Sequence, residues 1–158
     1  MKGVTNIEFV LSVFVFLGTL SFIAFLVINS MPFYRQNALS EDIKAESYQI
    51  SELLVLDRGE PIVWGKNNVK RIGLLGDEFY VLDFGKITTL DAMCKSNYDK
   101  IRNLFGKNDL EINITYLDNN LPIMSCKNST SITRLKFTVT RFAVVNNRIA
   151  RVDVSVIA

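Results

Sequence analysis

One carboxylate stands at the start of a long uncharged stretch of this chain. Glu8 is followed by 20 residues, 9–28, that carry no charge and are rich in Phe, Val and Leu. As a helix, this stretch would span ~30 Å, the thickness of a bilayer's hydrocarbon core. A carboxylate at the edge of such a helix is costly unless it meets a cation or takes up a proton, so we expect Glu8 to mark a functional site.

Two cysteines and two asparagines offer covalent chemistry beyond this stretch. If the region lies outside the cell, Cys94 and Cys126 could form a disulfide. The closed loop would contribute roughly 3–4 kcal/mol to stability. Two buried free thiols are the alternative, because sequence alone does not place the side chains together. Asn113 and Asn128 begin N-glycosylation tripeptides. Asn128, in an expected loop, is the better candidate than Asn113, in an expected strand.

The composition argues against several classes of function. Histidine is absent, which removes the commonest general base and metal ligand. The pairs Glu41-Asp42 and Asp77-Glu78 supply too few oxygens for a calcium site. No phosphate-binding glycine loop is present. The net charge is +2, with Lys70-Arg71 as the one adjacent basic pair, which disfavours nucleic acid as a partner. We therefore expect no enzyme activity, no cofactor and no resident metal.

The N-terminal half reads as a helix in two stretches. The apolar stretch is hydrophobic nearly all round, and Pro32 is expected to kink or briefly interrupt the helix after it. An amphipathic helix is predicted from 33 to 56, ended by Asp57-Arg58-Gly59. Its apolar face recurs at spacings of three and four residues, at Leu39, Ile43, Ser47, Ile50 and Leu54.

The remainder predicts a small α+β domain. Trp64 is expected to be a packing anchor. Short strands are predicted at 69–75 and 79–84, and a helix at 88–105, capped by Thr88 or Thr89. Strands at 110–117, 132–145 and 148–157 complete the pattern. The last two form a hairpin through Asn146-Asn147. Val152, Val154 and Val156 mark the buried face of the final strand, which alternates with Arg151, Asp153 and Ser155.

The N-terminal spacing resembles the processing site of type IV prepilins. Lys2-Gly3, four further residues, Glu8 and a membrane-length helix carry the resemblance. It implies a membrane peptidase that cuts between Gly3 and Val4, placing Glu8 fifth in the mature chain. The short leader is similar to the archaeal class III signal peptides. That branch commonly has Gln and Ser at its first and third mature positions, where this chain has Val4 and Asn6.

A second resemblance, to archaeal pilin-like surface proteins, covers the middle of the chain. It implies structural roles and no catalytic residue. Its positions are Leu53, Leu54, Gly59, Pro61, Trp64, Gly73, Leu74, Lys86, Leu90, Tyr98, Ile101 and Leu104.

Together these features predict a lollipop-shaped pilin of the α+β class. A leader, 1–3, precedes a membrane and filament-core helix, 4–31. An amphipathic helix, 32–56, continues into an extracellular head, 57–158, which has an antiparallel sheet and one short packing helix. The resemblance implies a subunit of a type IV pilus-like filament that meets a prepilin peptidase, the membrane and other pilin subunits. The alternatives are a minor or initiating pilin-like or surface-binding protein, and an unprocessed, signal-anchored extracytoplasmic domain.

Overall fold

The computed structural model describes residues 7–106, 108–128 and 135–158. Gly3 and Val4, at the expected cleavage site, lie outside these residues. The chain divides into two compact units, Met1–Leu39 and Ser40–Ala158, which are described separately.

The first helix, α1, runs from Ile7 to Leu56. It continues through Pro32, so the predicted interruption is wrong. A proline removes one backbone hydrogen bond, and the turns on either side of Pro32 keep theirs. In the first unit the large apolar side chains of α1 are exposed. By length and composition, α1 is long and apolar enough to cross a membrane.

The last part of α1 lies in the second unit and packs by one face. The buried face confirms the predicted amphipathic pattern from Ile43 onward, whereas Leu39 is 44% exposed and lies outside it. The helix ends at Leu56, before Gly59 in the left-handed region at φ 79°. The buried residues of α1 are Ile43, Ser47, Ile50, Ser51, Leu54 and Val55.

The second unit contains four strands, β1 (Asp109–Tyr116), β2 (Pro122–Cys126), β3 (Lys136–Val145) and β4 (Arg148–Ile157). They form an antiparallel sheet in the order β2-β1-β4-β3. This sheet, the long apolar α1 and the short helices confirm the predicted α+β class. The β3–β4 hairpin is also confirmed from Lys136 onward, whereas 132–134 of its predicted first strand lie outside the described residues. Its turn residues, Asn146 and Asn147, have φ 49° and 60°, as a two-residue turn of this kind requires.

Two predicted strands, 69–75 and 79–84, are wrong. The region forms loops joined by isolated bridges, Glu60 with Arg71 and Leu75 with Leu82. Tyr80 has φ 61°, which breaks an extended conformation. Asp83 accepts hydrogen bonds from the N–H groups of Gly85 and Lys86, so a helix starts at Phe84 where the second strand was expected.

The predicted helix at 88–105 is divided in two. These are α2 (Phe84–Ser96) and α3 (Tyr98–Phe105). Asn97 between them has φ −159° and ψ 79°, and its side chain caps α3 by accepting from Lys100 N–H. Thr88 and Thr89 do not cap a helix, because both hydroxyls donate to the carbonyl of Gly85 within α2. The two helices bury apolar side chains on both sides of the break, at Leu90, Met93, Cys94 and Ile101.

The two faces of the sheet differ in polarity. Val152, Val154 and Val156 are buried on the inner face, as predicted. Ser155, expected to be wet on the other face, is 4% exposed, and its hydroxyl lies 2.8 Å from that of Thr138. We call this second side the outer face. Strand pairing and alternation assign to it Glu111, Asn113, Thr115, Ser125, Thr138, Thr140, Phe142, Arg151, Asp153 and Ser155.

Candidate functional site

Glu8 lies in the first turn of α1 and is exposed. A carboxylate near a helix N-terminus is favoured by the unpaired N–H groups there. Its backbone carbonyl accepts a hydrogen bond from the Ser12 hydroxyl at 2.8 Å. No ion pair joins the Glu8 carboxylate to a basic side chain within 7–106, 108–128 and 135–158. The side chain is therefore accessible to a partner from outside these residues.

Apolar side chains surround α1 in the first unit on every side. Phe9, Phe14 and Val15 are 70%, 81% and 57% exposed. At ~100° per residue, Phe14 lies roughly 140° and Val15 roughly 240° around the helix axis from Phe9, so these three side chains point in well-separated directions. We call the large apolar side chains between Ile7 and Ile28 the α1 apolar surface. Exposing such a surface to water is unfavourable, because each Å² of apolar area left in water costs roughly 25 cal/mol of free energy compared with burying it. The surface therefore needs a lipid or protein partner.

Cys94 and Cys126 form a disulfide in the structure, with their Cα atoms 5.6 Å apart. Both residues are buried, and the bond ties α2 to β2. The two cysteines are 32 positions apart in sequence. The structure thus brings together the pair that the sequence could only suggest.

The structure describes the whole of one glycosylation tripeptide and only part of the other. Asn113 lies in β1 on the outer face, and its Oδ1 accepts a hydrogen bond from the Ser125 hydroxyl at 2.8 Å. Asn128 follows β2, but Ser129 and Thr130, which complete its tripeptide, lie outside the described residues.

The loop after α1 is built around Gly59, Trp64 and Gly73. Trp64 is 5% exposed, and its indole Nε1 donates to the carbonyl of Gly73 at 2.9 Å, so it is a packing anchor as predicted. A Cβ at Gly59 would lie 2.6 Å from Trp64 Nε1. Three of the positions that carry the second resemblance therefore share one structural task.

Lys86 and Tyr98 complete this framework by hydrogen bonding. Lys86 Nζ donates to the carbonyls of Arg58 and Leu75, at 2.8 and 2.9 Å. Burial lowers the pKa of the Lys86 ammonium, with Asp83 acting in the opposite direction. The Tyr98 hydroxyl donates to Leu110 O at 2.8 Å and accepts from Leu110 N–H at 2.7 Å. Sequence reasoning missed these contacts, because nothing local marks a distant carbonyl as the acceptor.

A surface cleft of about 430 Å³ borders Lys86, with Arg58, Trp64, Asp77 and Asp83 in its lining. A lysine with a lowered pKa in a cleft is a candidate nucleophile. Here the ammonium is held by two backbone carbonyls, which assigns it a structural role. Among the described residues, no group of three metal-ligating side chains is found.

Comparisons with protein-family models, with curated proteins and with solved structures found no match for this chain. The N-terminal spacing and the α1 apolar surface are therefore the features of this chain that bear on its function.

Proposed function

We propose that this chain is a structural subunit of an archaeal type IV pilus-like surface filament, made as a membrane precursor and cut between Gly3 and Val4. The observation that carries the proposal is the α1 apolar surface, which is exposed around the whole helix and has Glu8 in its first turn. The Lys2-Gly3 leader and its spacing to Glu8 support the proposed cleavage between Gly3 and Val4.

One surface serves two successive partners in this proposal. Before assembly, lipid covers the α1 apolar surface. After cleavage, the same surface packs against α1 of other subunits. Within lipid, apolar residues gain little by leaving one apolar environment for another. Assembly therefore needs a specific interaction in addition to apolar contact.

Glu8 supplies that interaction. Cleavage creates a new α-amino group on Val4, four residues before Glu8. In a low-dielectric bundle, an ion pair contributes little net stability, whereas an unpaired carboxylate is costly. Helices that slide past one another therefore settle where each amine meets a carboxylate. In this way Glu8 sets the register between α1 helices of neighbouring subunits.

The second unit forms the extracellular head of the subunit. The Cys94–Cys126 disulfide supports this placement, because disulfides persist in oxidising compartments and are rare in the cytosol. The single apolar helix would hold the precursor in the membrane until a prepilin peptidase acts on it.

The experiment that tests the proposal is N-terminal sequencing of the protein purified from the cells that make it. We expect the sequence to start at Val4. Gly3→Val should leave the full-length precursor in the membrane, because a side chain crowds the scissile bond. Gly18→Val is the matched control, since nothing lies within 4 Å of a Cβ at Gly18, and it should mature normally.

A mature protein that starts at Met1 would leave the signal-anchored domain as the remaining function. If the start is Val4, the abundance of the chain in isolated filaments separates a major subunit from a minor or initiating one. A major subunit is the expected result.

A further inference from the structure

The outer face carries a straight row of polar side chains that crosses the whole sheet. Asn113 lies opposite Ser125 on β2 and opposite Asp153 on β4, and Asp153 lies opposite Thr140 on β3. The flanking residues Ile112 and Ile114 are fully buried on the inner face. Because successive side chains alternate between faces, the side chain of Asn113 lies on the outer face, where it is partly exposed.

The carboxamide of Asn113 is oriented by one neighbour. Its Oδ1 accepts from the Ser125 hydroxyl at 2.8 Å. Asp153, on the other side, is already engaged by the Thr140 hydroxyl, which donates to Asp153 Oδ1 at 2.6 Å. The amide Nδ2 has no hydrogen-bond partner in the part of the chain that the structure describes. This nitrogen is the atom that an N-linked sugar would use.

Thr115 provides an independent observation, two residues further along β1. Its hydroxyl is enclosed and has no hydrogen-bond partner among the described residues. An enclosed hydroxyl without a partner destabilises a fold, and a valine of the same shape would avoid the loss. The fold therefore gives no reason for a hydroxyl here. The tripeptide Asn113-Ile114-Thr115 does give one, because it is an acceptor only with Ser or Thr in third place.

We propose that Asn113 carries an N-linked oligosaccharide that stands on the outer face of the sheet. The reaction is a glycosyl transfer from a lipid-linked glycosyl phosphate. The Asn113 Nδ2 bonds to the anomeric carbon of the first sugar, and the bond from that carbon to the phosphate oxygen breaks. The phosphate leaves with the bonding electrons, and one amide proton passes to a base of the transferase. The proposal rests on the extracytoplasmic head of the proposed function.

The structure also bears on when the transfer occurs and what the sugar covers. Thr115 Oγ1 is enclosed once β1 is paired, so the transferase must read the tripeptide before the sheet closes. After folding, the chain of sugars starts beside Asp153. Phe142, 55% exposed on the same face, lies within reach at ~12 Å, from the spacing of strands and residues. The glycan would shield this ring from water.

The test is mass spectrometry of the full-length protein purified from its own cells, intact and after proteolysis. We expect the peptide that contains Asn113 to carry a mass increment equal to a whole number of sugar residues. Asn113→Gln and Thr115→Val should both lose it completely, and Thr115→Ser should keep it. Asn128→Gln is the matched control and should leave the increment on Asn113 unchanged.

Thermal unfolding of Thr115→Val separates a lost acceptor from a damaged fold. Compared with unglycosylated Asn113→Gln, it should unfold at the same or a higher temperature. An unmodified Asn113 peptide, or an increment that persists in Asn113→Gln, would overturn the proposal. A mature N-terminus at Val4 with an unmodified Asn113 would reject the glycan and leave the filament function standing.

Discussion

At the scale of single residues, Glu8 carries the sharpest functional prediction. We expect Glu8→Val to permit membrane insertion and cleavage but to lower filament yield by roughly tenfold or more, because the new amine of Val4 loses its partner. Glu52→Val, at an exposed carboxylate in the other unit, is the control for a change of net charge. Filaments counted by electron microscopy and precursor followed by immunoblot provide the measurement. If Glu8→Val formed filaments at wild-type yield, the Glu8 carboxylate would have no role in setting helix register.

Tyr98, whose hydroxyl is hydrogen-bonded to the start of β1, should make the free energy of unfolding depend on pH. Burial raises the pKa of its phenol above the ordinary 10.0, partly offset by the hydrogen bond with Leu110. The unfolded chain therefore loses this proton first, and the free energy of unfolding should fall as pH rises from about 10 to the folded pKa. Denaturant titrations between pH 8 and 11 should show the fall in the wild type.

Tyr98→Phe should remove that part of the pH dependence. It should also cost about 1–3 kcal/mol at pH 7, because both backbone groups of Leu110 lose their partner. Tyr48→Phe, at a residue 52% exposed, is the matched control and should change neither quantity. An unchanged alkaline slope in Tyr98→Phe would show that another group titrates there.

Adding a single methyl group at Gly59 should strongly destabilise the protein. The Gly59 φ of 79° is unfavourable for other residues, and a Cβ would lie 2.8 Å from Arg71 O. Gly59→Ala should therefore cost about 2–4 kcal/mol, from backbone strain and overpacking together. Gly65→Ala, whose nearest contact would be Asn68 Oδ1 at 3.6 Å, should change stability by well under half as much. Urea unfolding of both variants gives the comparison, and equal costs would contradict the loop geometry.

At the scale of elements, the disulfide is a covalent link between α2 and the edge strand β2. Replacing both Cys94 and Cys126 with serine should lower the free energy of unfolding by about 3–4 kcal/mol, from the loop it closes, and further through two buried hydroxyls. The pair Cys94→Ala and Cys126→Ala avoids the second loss and isolates the first. Calorimetry of the two double variants measures both. An unchanged melting temperature for the alanine pair would show that the bond adds nothing to stability.

The elements also show how local signals compete. The helix expected at 88–105 is divided because Asn97 supplies a side-chain cap for α3, which ends α2 one residue earlier. The strand expected at 79–84 is absent because Tyr80, in a turn, has φ 61° and Asp83 caps the helix that begins at Phe84. In both places a local conformational preference outweighs the hydrophobic pattern around it.

At the scale of the whole molecule, the two units should be separable. Among the described residues, the buried core begins at Ile43 and contains no earlier residue. A protein that consists of 40–158 should therefore fold, with Ser40 as a new N-cap and Glu41 and Asp42 favourable in the first turn of the shortened helix. We expect it to be monomeric in solution without detergent, by light scattering. A single cooperative unfolding transition should be retained, and aggregation or a loss of near-UV circular dichroism would show that the core needs the first unit.

Three features followed from the sequence alone: the long apolar helix, the β3–β4 hairpin and the alternating valines of β4. Each depends on a signal that neighbouring residues carry, such as the period of apolar side chains or the tolerance of Asn146 and Asn147 for positive φ. The position of Glu8 relative to the apolar stretch is a local signal of the same kind. The cleavage site and the role of Glu8 stay predictions.

The tertiary structure decided which distant groups meet. It joined Cys94 to Cys126, placed Leu110 against Tyr98, and brought Ser125 to the carboxamide of Asn113. It also placed Asn113 in a polar row, where the sequence had favoured Asn128 for glycosylation. These partners are far apart along the chain, and their meeting depends on how the sheet and helices fold back on one another. Periodicity and backbone preference are properties of adjacent residues, so they carry no record of such contacts.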